Sequence, residues 1–543
     1  MLRHIINFKW HLNKIKLNHT FSTIYALSSG WGKCGVSIIR VSGPNSSEII
    51  ISLTKNPNLP IPKKAKLSKI FCPISSELLD TCLILWFPGP KSFTGEDCCE
   101  FHIHGSSAVQ KAVFKSLESM EGVGIAQPGE FIKRAFYNGK MDLIEVEGLA
   151  DLIKSETEQQ RRAALRIVGG ELKSLYHCWR NILIKNQADI EMLIDFSEEH
   201  HIEILVEKKI LTEINNLHVA INSFLKNSMF RGERLANGFR ITLVGSPNVG
   251  KSTLFNILCQ SNGAIVSPIP GTTRDVLNVS KDLGGYPVIY ADTAGIRKFL
   301  GGEKRTIDES TIHLIEEEGI IRAKDTISQS DILLVMLEAP KISFSKKSRD
   351  TLSIIKYWQD TVEKYVRNEL TLDYSLFHKG GSLKVKNANT EINLDKHTNI
   401  EKRILFIVNK CDLLVNHVNE IYEDFDYVSN IFENLIFTSC KNKKGVQRLI
   451  KYMIDILVEM CGDSSKGDPF VHSQRQRNSL AVCDKYLKNF LETEFIEHNY
   501  VYLARTLQRA SRNLSLLAGD AQGGVITTED VLDIVFKDFC VGK

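Results

Sequence analysis

The stretch Phe239–Asn256, F-R-I-T-L-V-G-S-P-N-V-G-K-S-T-L-F-N, constrains this chain more than any other. Ile241, Leu243 and Val244 form an apolar, partly β-branched run, the pattern of a buried strand. Gly245-x-x-x-x-Gly250-Lys251-Ser252 follows, and then Leu254, Phe255, Ile257 and Leu258 at helical spacing. Strand, glycine loop and helix in that order make a phosphate-binding P-loop. The glycines let backbone N–H groups close around a polyphosphate, and the helix N-terminus adds its positive dipole. Asn248, Val249, Gly250, Lys251, Ser252 and Thr253 are therefore expected to line the nucleotide. Lys251 would neutralise the β- and γ-phosphates, and Ser252 would offer its hydroxyl to Mg²⁺.

The later motifs match that start. Gly271-Thr272-Thr273-Arg274-Asp275 lies at switch distance, with Thr273 as a second Mg²⁺ hydroxyl. Val288–Ala291 is a strand that runs into Asp292-Thr293-Ala294-Gly295, where Asp292 can hold a Mg²⁺-bound water and Gly295 can meet the γ-phosphate. Leu405–Val408 is a strand that runs into Asn409-Lys410-Cys411-Asp412. The Asp412 carboxylate can accept two hydrogen bonds from guanine N1–H and N2–H₂. Adenine lacks those donors, so rejection on the order of 10⁴ follows. Asn409 is expected to fix this loop and the Lys410 stem to cover the ring. Ser439, Cys440 and Lys441 form a further loop whose backbone N–H groups would reach guanine O6. The nucleotide implied is GTP. Ile296 stands where Ras-like enzymes carry a water-orienting glutamine, so hydrolysis needs another carboxylate, an amide or a cation. Asn248 offers an oxygen suited to a monovalent cation.

At 543 residues the chain exceeds one core, so several domains are expected. Its 68 basic and 64 acidic residues nearly balance, a total that neither demands nor forbids a nucleic-acid partner. The longest apolar runs fall far short of a membrane span. The 12 cysteines include no C-x-x-C pair, which favours neither a zinc site nor a disulfide framework. Arg3, Lys9, Lys14 and Lys16 precede the first acidic residue, Glu48, with bulky apolar residues between them. Residues 1–22 thus read as a mitochondrial presequence, with a basic tail as the alternative.

Short β-like segments, Val36–Gly43, Cys82–Phe87 and Glu100–His104, suggest an α+β domain over 23–142. His102 and His104 share one face of a strand, but without a third ligand nearby they read as hydrogen-bonded histidines rather than a metal site. Residues 143–235 are helical in pattern, with no proline between Pro128 and Pro247. Residues 236–455 hold the nucleotide motifs and 456–543 return to helices, Val482–Phe495 and Val501–Leu517 among them, so the nucleotide unit is expected to interrupt a helical domain. The expected fold class is multidomain: α+β, then helical, with an inserted α/β P-loop domain of Ras-like, doubly wound type. About 65 residues separate strands Ile332–Leu337 and Ile404–Val408, which implies an insertion near 340–402.

Beyond the nucleotide motifs, the chain resembles the MnmE/TrmE family of tRNA modification GTPases, in particular a mitochondrial member. The residues that carry the resemblance are G-V-S-I-I-R-V-S-G (35–43), W-F-P-G-P-K-S-F-T-G-E-D (86–97), P-G-E-F-x-x-R-A-F-x-N-G-K-x-D-L (128–143) and the terminal Phe539-Cys540-Val541-Gly542-Lys543. A ribosome-assembly or other RNA-binding GTPase switch, the alternative function, would lack them.

The resemblance implies an N-terminal domain that dimerises and binds 5,10-methylenetetrahydrofolate or 5-formyltetrahydrofolate through Arg40, Glu100, Lys140 and Lys543. It implies K⁺ held by Asn248, Ser267, Ile269 and Thr272, with Ser267 in place of the family's usual threonine. The catalytic glutamate of E-x-x-G-I-x-R-A falls on Glu316, beside Glu317 and Glu318 in a stretch that also reads as a solvated helix face. Cys540 matches a terminal cysteine placed near the modification chemistry. The implied reaction installs a 5-carboxymethylaminomethyl or 5-taurinomethyl group on the wobble uridine of mitochondrial tRNA. The implied partner is an FAD-dependent flavoprotein of the MnmG/GidA type, in the mitochondrial matrix.

Overall fold

A computed structural model describes residues 22–30, 32–195, 200–246, 248–261, 278–292, 326, 329–339, 360, 364, 403–413, 434–462 and 473–518. The expected presequence apart from Ser22, the segment with Ser267, Ile269, Thr272 and Thr273, Thr293–Gly295, Glu316, nearly all of the expected 340–402 insertion, Cys540 and Lys543 lie outside the described residues. The chain divides into two compact units. One comprises Met1–Ile153, Ile167–Val219 and Asn478–Lys543; the other comprises Lys154–Arg166 and Ala220–Arg477.

The first unit holds a six-stranded sheet. In chain order its elements are β1 (Thr23–Leu27), β2 (Cys34–Ser42), α1 (Ser46–Thr54), β3 (Lys66–Phe71), β4 (Leu78–Phe87), β5 (Cys98–Gly105), α2 (Ser107–Glu118), β6 (Val123–Ile125) and α3 (Glu130–Tyr137). The strand order is β3-β4-β5-β2-β1-β6, antiparallel except for the β1–β6 pair. Side chains alternate across a strand. Ile39, Val41, Phe101, Ile103 and Ile84 therefore face one side, where they bury against Ile49, Ile50 and Leu53 of α1 and Val113 and Leu117 of α2. Arg40, Glu100 and His102 fall on the other side. The Ser106 hydroxyl accepts a hydrogen bond from the Val109 N–H and so starts α2. The Glu130 carboxylate accepts from the Gln127 N–H at the start of α3, beside Gly129 in left-handed backbone.

Helices follow: α4 (Leu143–Lys154), α5 (Glu158–Val168), α6 (Glu171–Asp195) and α7 (His200–Asn237). After the second sheet come α10 (Gln474–Glu492) and α11 (Tyr500–Ala518). The sequence pattern puts the start of α10 at Val482; the helix begins earlier, because Gln476 and Leu480 extend its buried stripe by one turn each. Leu172, Tyr176, Trp179, Leu183, Ile190 and Leu193 make the buried stripe of α6. This helix packs on α11, where the Arg180 Nε donates to Ser515 Oγ at 2.7 Å. Helices from either side of the nucleotide motifs thus share one unit. His218 of α7 meets Asp484 of α10 at 2.8 Å.

The second unit is built on β7 (Phe239–Gly245), α8 (Lys251–Ser261), β8 (Asn278–Leu283), β9 (Tyr286–Asp292), β10 (Ile332–Glu338), β11 (Arg403–Asn409), β12 (Leu435–Phe437) and α9 (Val446–Cys461). Its strand order is β12-β11-β10-β7-β9-β8, parallel apart from the β8–β9 hairpin. β10 and β11 are buried nearly throughout, as strands covered on both faces are. β7 lies between β9 and β10, so the winding of the chain reverses beside it. The loop at its C-terminal end therefore opens at the crevice where such sheets bind ligands. At the opposite end of the sheet, buried Asp331 forms an ion pair with Arg234, 2.7 Å from its Nε, and accepts from the Arg240 N–H at 2.8 Å. Burial pushes its carboxyl above the ordinary range, against the pull of those partners.

Candidate nucleotide and folate sites

The loop after β7 has the backbone of an anion cradle. Asn248 has φ 63° and Gly250 φ 104°, both left-handed, which turns successive N–H groups inward. A side chain is excluded at two of its glycines. A Cβ on Gly245 would come within 2.7 Å of the Met336 carbonyl oxygen, and one on Gly250 would strike the Asn409 amide. α8 starts directly at Lys251. Ser252 and Thr253 are exposed at its first turn, while Val249 and Leu254 anchor the loop in the core. The Lys251 ammonium donates to the carbonyl oxygens of Gly245 and Ser246, each at 2.8 Å. A bound phosphate is a stronger acceptor and would compete with these carbonyls for it. Asp292 ends β9 level with Leu243, two residues short of Gly245.

The base loop is joined to this cradle. Asn409 ends β11, and its Nδ2 donates to the Val249 carbonyl at 2.7 Å. Its Oδ1 accepts from the Cys440 N–H at 3.1 Å. One buried amide therefore ties the P-loop to both halves of the base site. Lys410 adopts φ 64°, and its ammonium pairs with Glu338 Oε1 at 2.6 Å. Asp412 Oδ1 accepts from the Ser439 hydroxyl at 2.6 Å, which orients the carboxylate. Its other oxygen carries no hydrogen bond among the described residues, and so can accept from a ligand. Lys441 beside it is exposed. Burial pushes the thiol of Cys440 up to about 11 and that of Cys411 up to about 12, so both stay protonated packing groups.

In the first unit, Arg40 and Glu100 stand opposite each other in the β2–β5 register. The Arg40 Nε and terminal nitrogen both reach Glu100 Oε1 at 2.9 Å. His102 Nε2 lies 3.3 Å from the other carboxylate oxygen. The Arg40 guanidinium also lies over the Phe93 ring, 5.0 Å from its centroid. Lys140 Nζ donates to the Pro90 carbonyl at 2.9 Å. The loop Pro90–Gly95 thus touches Arg40 through Phe93 and Lys140 through Pro90, and gathers two of the folate candidates around itself. Arg134 fixes the base of that loop through Glu96 at 3.0 Å. His104 pairs with Asp80 at 2.8 Å, and no group of three or more potential metal ligands occurs among the described residues. The two histidines are hydrogen-bonded, as their strand context suggests.

Sequence reasoning missed Glu338 and Phe93. Phe93 lies within the 86–97 stretch that carries the family resemblance. Glu338 carries no local signal beyond its place at a strand's C-terminal end.

The same stretches that build these sites match known proteins. Residues 143–540 match the profile of the MnmE helical domain, and residues 23–140 match that of the GTP-binding protein TrmE N-terminus. The chain belongs to the MnmE/TrmE family of tRNA modification GTPases. It is 38% identical over 525 residues to the zebrafish (Danio rerio) mitochondrial 5-taurinomethyluridine-[tRNA] synthase subunit GTPB3, covering 96% of this chain and 93% of that one. It is 34% identical over 537 residues to the mitochondrial tRNA modification GTPase gtpbp3 of Dictyostelium discoideum, covering 97% and 96%. The tRNA modification GTPase MnmE of Rickettsia prowazekii is 34% identical over 524 residues, covering 96% and 100%. As a member of the MnmE/TrmE family the chain is a GTPase, with an α+β N-terminal part, a helical part and a doubly wound P-loop sheet. No helix among its described residues is long and apolar enough to cross a membrane.

Proposed function

We propose that this MnmE/TrmE GTPase acts in the mitochondrial matrix as a homodimer. With an FAD-dependent partner of the MnmG type, it modifies the wobble uridine of mitochondrial tRNAs with a 5-taurinomethyl or 5-carboxymethylaminomethyl group. The observation that carries the reading is the joined loop pair, Asn409 to Val249 and Asp412 to Ser439, in a chain that aligns nearly end to end with mitochondrial tRNA-modifying relatives.

Guanine would lie against Asp412 and the backbone of Ser439–Lys441, with its triphosphate in the cradle of Asn248–Thr253. Ser252 and Thr273 would hold Mg²⁺, with Asp292, Thr293, Ala294 and Gly295 on the γ-phosphate side. Asn248 would offer its side-chain oxygen to K⁺, with Ser267, Ile269 and Thr272 completing the site; such an ion would offset phosphate charge. Glu316 would activate or orient the attacking water, the role Ile296 cannot take.

A one-carbon tetrahydrofolate would supply the methylene unit. The Arg40–Glu100 pair fits it in donor set: a guanidinium for carboxylate and a carboxylate for pterin N–H groups, with Lys140 and Lys543 as further cations. Cys540 would act at the modification site. The domain organisation we propose is a 23–142 folate and dimerisation domain and a 236–455 GTPase domain with an insertion near 340–402. Helical segments 143–235 and 456–543 flank the GTPase domain, behind a presequence at 1–22. The test is mass spectrometry of mitochondrial tRNA wobble uridines after depletion of the protein. Loss of the modified nucleoside is expected, restored by the full chain but not by one lacking Cys540–Lys543; full modification without the protein would overturn the reading.

A further inference from the structure

We propose that Glu338 is a positioning residue for guanine binding: its carboxylate anchors the Lys410 ammonium, so that the lysine's methylene stem is held in place as an apolar lid for the base. The inference rests on the guanine reading of the Asn409–Asp412 loop.

Glu338 is held by the sheet, not by its own loop. It is the last residue of β10 and stands opposite Asn409 in the parallel β10–β11 register. Met336, two residues earlier on the same face, lies against Gly245 of the P-loop. Ala339, directly after it, is fully buried and pins the strand end. Glu338 therefore occupies a fixed point between the phosphate cradle and the base loop. The Lys410 Nζ–Glu338 Oε1 separation of 2.6 Å is a charge-assisted contact. The two side chains are 29% and 15% exposed, so solvent screens the pair only in part.

The chemistry then follows from what lysine is. Its ammonium sits on four freely rotating methylenes, and an untethered stem loses rotamer freedom when a base packs against it. With the ammonium fixed on Glu338, that ordering is complete before the nucleotide arrives. The left-handed backbone at Lys410 limits the stem further. The charge faces a carboxylate while the carbon chain is left to meet the ring. A loosened lysine weakens binding to any purine of this shape, whereas the 2-amino group that separates GDP from IDP is read by Asp412.

The experiment measures GDP and IDP affinity of the full chain with a fluorescent nucleotide, for wild type, E338Q, E338D, K410M and the E338Q/K410M double variant. E338Q and K410M should each weaken GDP binding about tenfold, roughly 1.4 kcal/mol, chiefly through faster dissociation. The double variant should lose no more than either single one, because both changes break the same contact. E338D should keep most of the affinity. The GDP-to-IDP ratio should stay at its wild-type value, whereas a merely structural loss that shifts Asp412 would erode it. Unchanged or tighter GDP binding in E338Q, additive losses in the double variant, or an altered ratio would overturn the proposal. Should E338Q fail to fold, K410M and E338D still decide it. Wild-type protein that binds no guanine nucleotide would instead overturn the guanine reading itself, and this inference with it.

Discussion

Asn409 Nδ2 donates to the Val249 carbonyl at 2.7 Å, although 160 residues separate the two. The same side chain accepts from the Cys440 N–H, so one amide that is 2% exposed holds the P-loop, the β11 end and the Ser439–Lys441 loop in a single arrangement. The P-loop and the Asn409–Asp412 loop are thereby joined through one side chain.

Asn409→Ala removes both bonds and leaves a buried carbonyl and a buried N–H short of partners. We expect a loss of about 1–3 kcal/mol in stability and a larger proportional loss in GDP affinity. Thermal unfolding with and without GDP checks both. A variant with wild-type GDP affinity would show that the loops are held by other contacts.

Asp412→Asn keeps the bond to Ser439 but replaces an acceptor-only carboxylate with an amide. Guanine N1–H and N2–H₂ then meet a mixed donor and acceptor, while xanthine, with a carbonyl at position 2, becomes the better match. GDP affinity should fall by about 10² or more and XDP affinity should rise. Competition binding with the two nucleotides measures the exchange, and an unchanged preference for GDP would place guanine recognition elsewhere.

For hydrolysis, Glu316→Ala should leave GTP affinity near wild type and reduce turnover by at least about 10²-fold, the scale of a lost general base. The same assay in KCl and NaCl reads the Asn248 site, with potassium expected to give the faster rate. Ordinary turnover in the variant would remove Glu316 from the chemistry, and equal rates in the two salts would remove the cation.

Arg40→Gln deprives Glu100 of its guanidinium and Phe93 of the cation above its ring. The expected cost is roughly 1.5–3 kcal/mol, the worth of hydrogen bonds to a charged group, read as a lower unfolding temperature. Calorimetric titration with 5-formyltetrahydrofolate should show affinity at least about tenfold weaker if the folate carboxylates use this arginine. Equal affinity would separate Arg40 from the folate site.

Cys72 gives a pH prediction. Hydrogen bonds from Ser75 lower its thiol to about 7, whereas burial raises Cys82, Cys411 and Cys483 to about 12. A lowered value means the thiolate forms earlier as pH rises. Alkylation by iodoacetamide should therefore climb through pH 7 and level off above it at Cys72, while the buried thiols stay unmodified at pH 8. Peptide mapping distinguishes them. A Cys72 rate still rising steeply at pH 9 would mean that the Ser75 contacts do not act on it in solution.

The nucleotide elements were legible because each is local. A β-branched run, a glycine loop and an amphipathic helix announce the P-loop within 18 residues, and the strands before Asp292 and Asn409 read the same way. Chain order and type of these elements followed from hydrophobic period and turn chemistry alone, as did the hydrogen-bonded state of His102 and His104 as a general expectation. The start of α10 was less legible: Gln476 belongs to its buried stripe, yet as a polar residue it adds nothing to an apolar period.

What the sequence by itself determined, then, is which residues sit at strand ends and loop positions, since those depend on neighbours a few residues away. Which of them touch was decided only by the tertiary structure. Asn409 to Val249, Lys410 to Glu338 across 72 residues and Arg40 to Glu100 across 60 arise from strand register, which brings distant segments side by side and leaves no periodic trace in either. Glu338 shows this most clearly. Alone it is one carboxylate at the end of an apolar strand, and only the β10–β11 register makes it the counter-charge of the base loop.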